Sequence, residues 1–300
     1  NPQGAGYARG CAGVFHFAEG TPPLADVKSA NELERFHDLF ERWDYSYLFD
    51  EPLDVLARRA KKQYESTDLA VVAVWSMHYL QTGQLMRGFE QFFIDLIADS
   101  DLAYAIFDRL HGVYMQRVET FFQAFGDCFD AVFLEDDLGT QQSGVLSPAL
   151  YRKMIFPYLS ELVGRIKARG KKVIMHSCGA VSQFIPLLIE AGVDALNPIQ
   201  ISANGMNPRD LVRQYGKDIA FWGGGCDTKH ALNAADAELV RADVRRRLDE
   251  FGPDAHLVFT QVHNIQYDVP PENVLALWDE FRKQTRGVSP STSFGESPRS

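Results

Sequence analysis

The stretch Lys172-Val173-Ile174-Met175-His176-Ser177-Cys178-Gly179 reads as a short covered strand that ends in two metal-seeking side chains. The apolar run Val173-Ile174-Met175 suits a strand buried on both faces. A helical pattern, Val181-Ala191, begins just after Gly179. Side chains alternate along a strand, so His176 and Cys178 leave its end on the same side. Zinc favours nitrogen and sulfur donors and needs three or four that converge. Cys226 and His263, at the ends of later strands, are the candidates to complete such a set.

Working outward, the same strand-then-helix alternation covers most of the chain. Strands are expected at Leu69-Trp75, Ala131-Leu134, Lys172-Met175, Asp194-Leu196, Ile219-Trp222 and His256-Thr260. Amphipathic helices are expected at Gln84-Ala98, Leu102-Gly126, Pro148-Ala168, Val181-Ala191, Pro208-Tyr215, Asp236-Phe251 and Pro271-Lys283. Ser147-Pro148 and Pro270-Pro271-Glu272 place a proline in a first helical turn, and Arg169-Gly170 and Ala191-Gly192 close helices with a glycine. Regular βα alternation implies a parallel sheet. Six units are visible where a closed barrel needs eight. The segment before residue 69 is expected to supply one more, and another to lie upstream of Asn1. A doubly wound open sheet is the competing architecture, but no Gly-x-Gly-x-x-Gly turn follows the first strand. The reading is therefore an α/β fold, a TIM (β/α)8 barrel missing its first strand. Its divisions are an irregular, aromatic-rich segment 1–68 packed across one mouth, a barrel domain 69–285 and a disordered tail 286–300.

With 300 residues and 46% hydrophobic content, the chain can bury a large core. A net charge of -10 argues against a nucleic-acid partner, which requires a basic face. No apolar run reaches membrane-spanning length, and no signal peptide is visible. The four cysteines, Cys11, Cys128, Cys178 and Cys226, lack disulfide spacing and point to a reducing, cytoplasmic setting. Cys11 and Cys128 read as small core residues.

Barrel enzymes build their chemistry at the C-terminal ends of strands. Those ends are polar throughout: Trp75-Ser76-Met77-His78, Glu135-Asp136-Asp137, His176-Ser177-Cys178, Asn197-Pro198-Ile199-Gln200, Gly223-Gly224-Gly225-Cys226-Asp227 and Gln261-Val262-His263-Asn264-Ile265-Gln266. Each residue also has an ordinary structural reading. Cys226 suits a buried thiol in a tight turn as well as a ligand approached through three glycines. His263 suits a cap as well as a site. Three consecutive acids are costly together unless cations or backbone donors satisfy them, although they also suit a helix cap. Glu135 and Asp137 are the candidate catalytic acids. Asp136, His78, Asn197, Gln200, Asn264 and Gln266 are candidate substrate contacts, with Trp75, Trp222 and Tyr267 as pocket walls or core.

The ordered motifs Asp136-Asp137-Leu138-Gly139-Thr140-Gln141, His176-Ser177-Cys178-Gly179, Ala191-Gly192-Val193-Asp194 and Val269-Pro270-Pro271-Glu272-Asn273 resemble the uroporphyrinogen decarboxylase superfamily over roughly residues 70 to 285. The resemblance implies a TIM barrel and either a decarboxylase or a corrinoid-linked methyltransferase. Decarboxylases of the family bind a polycarboxylate porphyrinogen through arginines, without metal. Here no strand end carries an arginine, and acids would repel such a substrate. The methyltransferase branch carries a His-x-Cys…Cys zinc site, whose first two positions match His176 and Cys178. At the place of its final cysteine stands His263, and Cys226 lies one unit earlier, so the third ligand is open between them. The resemblance thus implies zinc and a small methyl donor or a thiol or folate acceptor. Glu135 or Asp137 would complete the zinc shell or orient His176. The cobamide would arrive on a partner, since no Asp-x-His-x-x-Gly element is present. A decarboxylase, or a non-catalytic protein with zinc closed by four ligands, are the alternatives.

Overall fold

The computed structural model describes residues 6–9, 16–19, 21–42, 52–75 and 77–285. The expected tail 286–300, and the aromatic residues Phe15, Trp43, Tyr45, Tyr47 and Phe49, lie outside the described residues.

Six strands form one parallel sheet: β3 (Val72–Val74), β4 (Ala131–Glu135), β5 (Lys172–His176), β6 (Ala195–Asn197), β7 (Ala220–Trp222) and β8 (Leu257–Val258). An antiparallel pair, β1 (Gly6–Arg9) and β2 (His16–Glu19), precedes them. In the sheet each strand pairs with its sequence neighbours, in the order β3-β4-β5-β6-β7-β8. A doubly wound sheet reverses its order at a switch point. This one never reverses, so it winds as a barrel does, and it forms a partial TIM barrel. No described residue before Val72 adds a strand to the sheet, so the extra unit expected there is not found.

Alternation along the strands explains the two faces. Val132, Leu134, Val173, Met175, Leu196 and Phe221 point outward into the main core beneath the helices. Ala131, Ile174, Ala195 and Ala220 point inward, packed with Val72, Phe133 and Trp222. Each fully buried large apolar side chain contributes roughly 1.5–3 kcal/mol. Three of the inward positions are alanine, which keeps the inner layer thin below the strand ends.

The helices follow the expected positions with breaks that have local causes. The stretch expected as one helix at Gln84-Ala98 is two, α3 (Leu80–Arg87) and α4 (Phe89–Ala98), divided by Gly88 at φ 96°. The stretch Pro148-Ala168 divides into α6 (Pro148–Met154) and α7 (Phe156–Lys167), because Pro157 has no N–H to continue the first ladder. The remaining helices are α5 (Ser100–Phe125), α8 (Ile185–Ala191), α9 (Pro208–Tyr215), α10 (Ala237–Phe251) and α11 (Pro271–Gln284). No described helix is long and apolar enough to cross a membrane.

Before the sheet come a 3-10 helix (Ala30–Phe36), α1 (His37–Arg42) and α2 (Leu53–Ser66). They pack along α5, with Leu24, Val27, Leu33, Leu39 and Phe40 buried in the main core. The described residues 30–42 and 53–66 thus pack against the outer helix α5. Arg87 fastens the chain just before them. Its guanidinium is buried, reaches Asp95 Oδ2 at 2.6 Å and donates to the carbonyls of Leu24 at 2.6 Å and Ala25 at 3.0 Å. Removing one partner of a buried ion pair strands the other charge. Arg87→Leu should therefore lower unfolding stability by about 3 kcal/mol or more in urea titrations, whereas an exposed-pair control, Arg58→Leu, should change it by less than about 1 kcal/mol.

Candidate metal centre

The loops leaving β4 and β5 are laced together before any side chain is considered. Asp136 N donates to His176 O at 3.0 Å, Leu138 N to Ser177 Oγ at 2.9 Å, and Ala180 N to Thr140 O at 2.7 Å. Gly139 and Gly179 sit where these loops touch. A Cβ on Gly139 would meet Cys178 O at 2.7 Å, and one on Gly179, at φ +91°, would meet Gly139 C at 2.5 Å. The glycines of both motifs are thus demanded by backbone contact. On the other side, the ladder of β7 and β8 runs on past the strands, with Gly225 N on Thr260 O at 2.8 Å and Val262 N on Cys226 O at 3.0 Å. That extension delivers His263 to the mouth. The three glycines 223–225 serve this close passage: a Cβ on Gly225 would lie 2.3 Å from the Phe259 ring.

One donor atom from each of His176, Cys178 and His263 lies within 4.8 Å of the other two. The His176 and His263 rings meet edge to face, 5.6 Å between centroids. His176 Nδ1 lies 2.7 Å from Asn197 Oδ1, an oxygen that can only accept, so the N–H is on Nδ1 and the Nε2 lone pair is available. Asp137 Oδ1 is 4.0 Å from His176 Nε2 and accepts from both Cys178 N and Cys178 Sγ at 3.2 Å. Burial, and then the Asp137 charge, push the Cys178 thiol well above its ordinary range. Burial, followed by the neighbouring His176, holds His263 below the usual histidine range and so in its neutral form. Two imidazoles and a cysteine that needs a cation to ionise suit zinc. At His263, Nδ1 accepts the Asn264 backbone N–H at 2.8 Å.

The structure does not bring every expected residue to this place. Cys226 is fully buried among Leu232, Val240, Val244, Phe259 and Leu277, in an apolar cluster under α10 and α11. It belongs to the core there, its alternative reading in the sequence. Asp136 is buried and accepts from the backbone N–H groups of Tyr79 at 3.0 Å, Leu80 at 2.8 Å and Gln81 at 2.9 Å. It anchors the start of α3 and so does not face substrate, although burial still pushes its carboxyl up to about 6. Trp75 is core as well, with its ring centroid 5.0 Å from Phe121 and 5.6 Å from Phe122. Trp222 does face inward, 6.3 Å from the Phe133 ring. Glu135 is half-buried on the inner face, with Oε2 3.1 Å from His78 Nε2. Gln200 accepts from Gly179 N at 2.9 Å and donates to Gln141 Oε1 at 2.9 Å, bracing the cysteine loop. Asn264 and Tyr267 are exposed, and Gln266 is half-buried with Nε2 3.4 Å from Asn264 O. Lys229, which the sequence reading passed over, places Nζ 3.1 Å from Gln141 Oε1. It lies on a loop with no periodicity to mark it.

Residues 15–284 match the family model described as uroporphyrinogen decarboxylase (URO-D). The chain belongs to that family. It is 30% identical over 180 residues to the uroporphyrinogen decarboxylase of Thioalkalivibrio sulfidiphilus, covering 58% of this chain and 48% of that one. It is 24% identical over 208 residues to that of Citrifermentans bemidjiense, covering 69% of this chain and 57% of the other. The chain thus spans about half the length of the curated relatives it matches. Among solved structures, a methyltransferase from Methanosarcina mazei superposes with a TM-score of 0.66 at 16% identity, over 94% of this chain and 76% of that one. At that identity the likeness concerns the fold, and it agrees with the barrel winding described above.

Within the family the glycine pair is open to a direct check. Gly179→Ala should cost about 2 kcal/mol or more, from its left-handed backbone and the contact with Gly139. Thermal unfolding would register this, while Gly112→Ala, with nothing near its Cβ, should leave stability unchanged or raised.

Proposed function

We propose that this chain is a zinc-dependent methyltransferase. It moves a methyl group between a small methylated substrate, or a thiol or folate acceptor, and a corrinoid protein that carries the cobamide. The observation that carries this reading is the convergence of His176, Cys178 and His263 at the strand ends. These three would hold the metal. When bound, zinc supplies a Lewis acid that lowers the pKa of a thiol or polarises a methoxy or amine donor. The chain's own groups do the rest. Glu135, steadied by His78, is placed to take or return a proton at the inner face. Asp137, against the Cys178 thiol, would offset part of the charge of a bound metal. Phe133 and Trp222, on the inner face below the strand ends, would form the apolar floor beneath a small substrate. Asn264 and Gln266, on the loop that carries His263, are the candidate contacts at the rim.

Three donors support catalysis over a purely structural ion. A structural site is closed by four protein ligands, whereas a catalytic one keeps a position open. The closed set His176, Cys178, Cys226 and His263 does not form, because Cys226 is packed elsewhere. The names of the curated relatives favour a second reading, decarboxylation of a tetrapyrrole. Against it stand the strand ends, which carry acids and no arginine. We place the chemistry in the cytoplasm, where Cys128, Cys178 and Cys226 stay reduced.

The test is metal content of the full chain, purified without chelators. About one zinc per chain is expected for wild type. Cys178→Ser and His263→Ala should lose most of it, and Cys226→Ser should keep it. With metal present, methyl transfer to cob(I)alamin should follow from a panel of methoxy, methylamine and methylthio donors. A metal-free wild type would overturn the reading, and decarboxylation of a porphyrinogen by that protein would establish the second.

A further inference from the structure

The inward side chains Glu135, His176 and Asn197 stand in one row, because their Cα atoms are direct partners across β4, β5 and β6. His176 therefore has a carboxylate on one side and an amide on the other. Its second nitrogen goes to the amide: Nδ1 lies 2.7 Å from Asn197 Oδ1. The carboxylate of Glu135 instead meets His78, 3.1 Å away. His78 is itself buried, and Tyr114 OH donates to its carbonyl at 2.8 Å. The expected arrangement, Glu135 or Asp137 orienting His176 through that nitrogen, is thus not the one found.

We infer that Asn197 is a positioning residue for the metal, and not a substrate contact. The inference rests on the zinc reading above. By accepting the Nδ1 proton, the amide oxygen fixes the His176 tautomer and leaves Nε2 unprotonated. Nε2 faces the same Asp137 oxygen that the Cys178 sulfur touches, so the fixed tautomer aims its lone pair at the donor cluster. An amide does this without adding charge. A metal held by one thiolate and two neutral imidazoles then keeps a net positive charge, and Glu135 is left for proton transfer. The backbone at Asn197 is anchored separately, since its carbonyl accepts from Ser177 N at 2.7 Å. Side-chain substitutions there should leave the loops laced.

The experiment compares wild type, Asn197→Ala, Asn197→Leu and Asn197→Asp as full chains stripped of metal. Zinc affinity is read by competition with a chromophoric chelator, and the site is read by the visible spectrum of its Co(II) form. Asn197→Ala and Asn197→Leu should bind zinc about 10–100-fold more weakly, with an altered Co(II) spectrum. Asn197→Asp, which keeps an acceptor, should bind at least as tightly as wild type and keep the wild-type spectrum. Unfolding of the metal-free proteins should be alike. If Asn197→Ala does not fold, Asn197→Leu against Asn197→Asp decides. Wild-type affinity in both acceptor-less variants, or loss in Asn197→Asp equal to theirs, overturns the inference and leaves the zinc reading standing. A wild type that binds no zinc sinks both.

Discussion

The parallel hydrogen-bond ladder is the constraint on which the rest of the site depends. Because β4, β5 and β6 are paired without a register slip, residues at their exits are fixed to within a side chain's width. A slip of one residue would turn His176 outward into the core and Met175 inward. Burial forbids it: Val173 and Met175 would exchange an apolar shell for the barrel interior. The hydrophobic term that holds the sheet is thus also what aims His176. Cys178, beyond the ladder, gains its position from a different source, the lacing of its loop to Gly139, Thr140 and Gln200.

Charge is arranged around this frame in two separate layers. Asp136 is spent inside, where three backbone N–H groups at the start of α3 surround it. Asp137 and Glu135 remain beside the donors. The acidic triplet is therefore not one anionic cluster, and its cost is met differently at each member: by a helix start, by a thiol and loop N–H, and by His78. What remains uncompensated sits at Cys178, where burial and Asp137 both oppose the thiolate. A dication relieves that opposition more directly than any group present.

How far the sequence could be read follows from the range of each interaction. All six strands of the sheet were legible, because apolar runs bounded by turn residues are local signals. The His176 and Cys178 pair was legible for the same reason, through alternation. Gly88 and Pro157 break helices by backbone chemistry that is visible in single residues, yet the amphipathic pattern runs through both and masks them. The choice between Cys226 and His263 could not be made, since both follow a strand exit. It depends on which side of the β7–β8 extension each residue takes. Gly225 N on Thr260 O and Val262 N on Cys226 O decide that, and they are contacts between distant segments. Asp136, expected as a substrate contact, and Trp75, left open between pocket wall and core, were beyond reach for the same reason. Each stands at a polar strand exit, but one turns back to a helix start and the other into the aromatic packing under α5.

The two histidines are held unequally. His176 donates its Nδ1–H to an acceptor, which frees Nε2 for a ligand's role. His263 uses its Nδ1 lone pair to accept the Asn264 N–H. A metal bound through Nδ1 would take that lone pair. One bound through Nε2 would place a proton on Nδ1, facing the same N–H. Either way the hydrogen bond from Asn264 is exchanged for a coordinate bond. A neutral hydrogen bond is worth about 0.5–1.5 kcal/mol net, against roughly 10–16 kcal/mol for zinc in a structural site. The exchange is no barrier to binding, and it divides the labour. Were a metal bound there, His176 and Cys178 would form the preorganised half of the site, and His263 would join it by giving up a contact of its own loop.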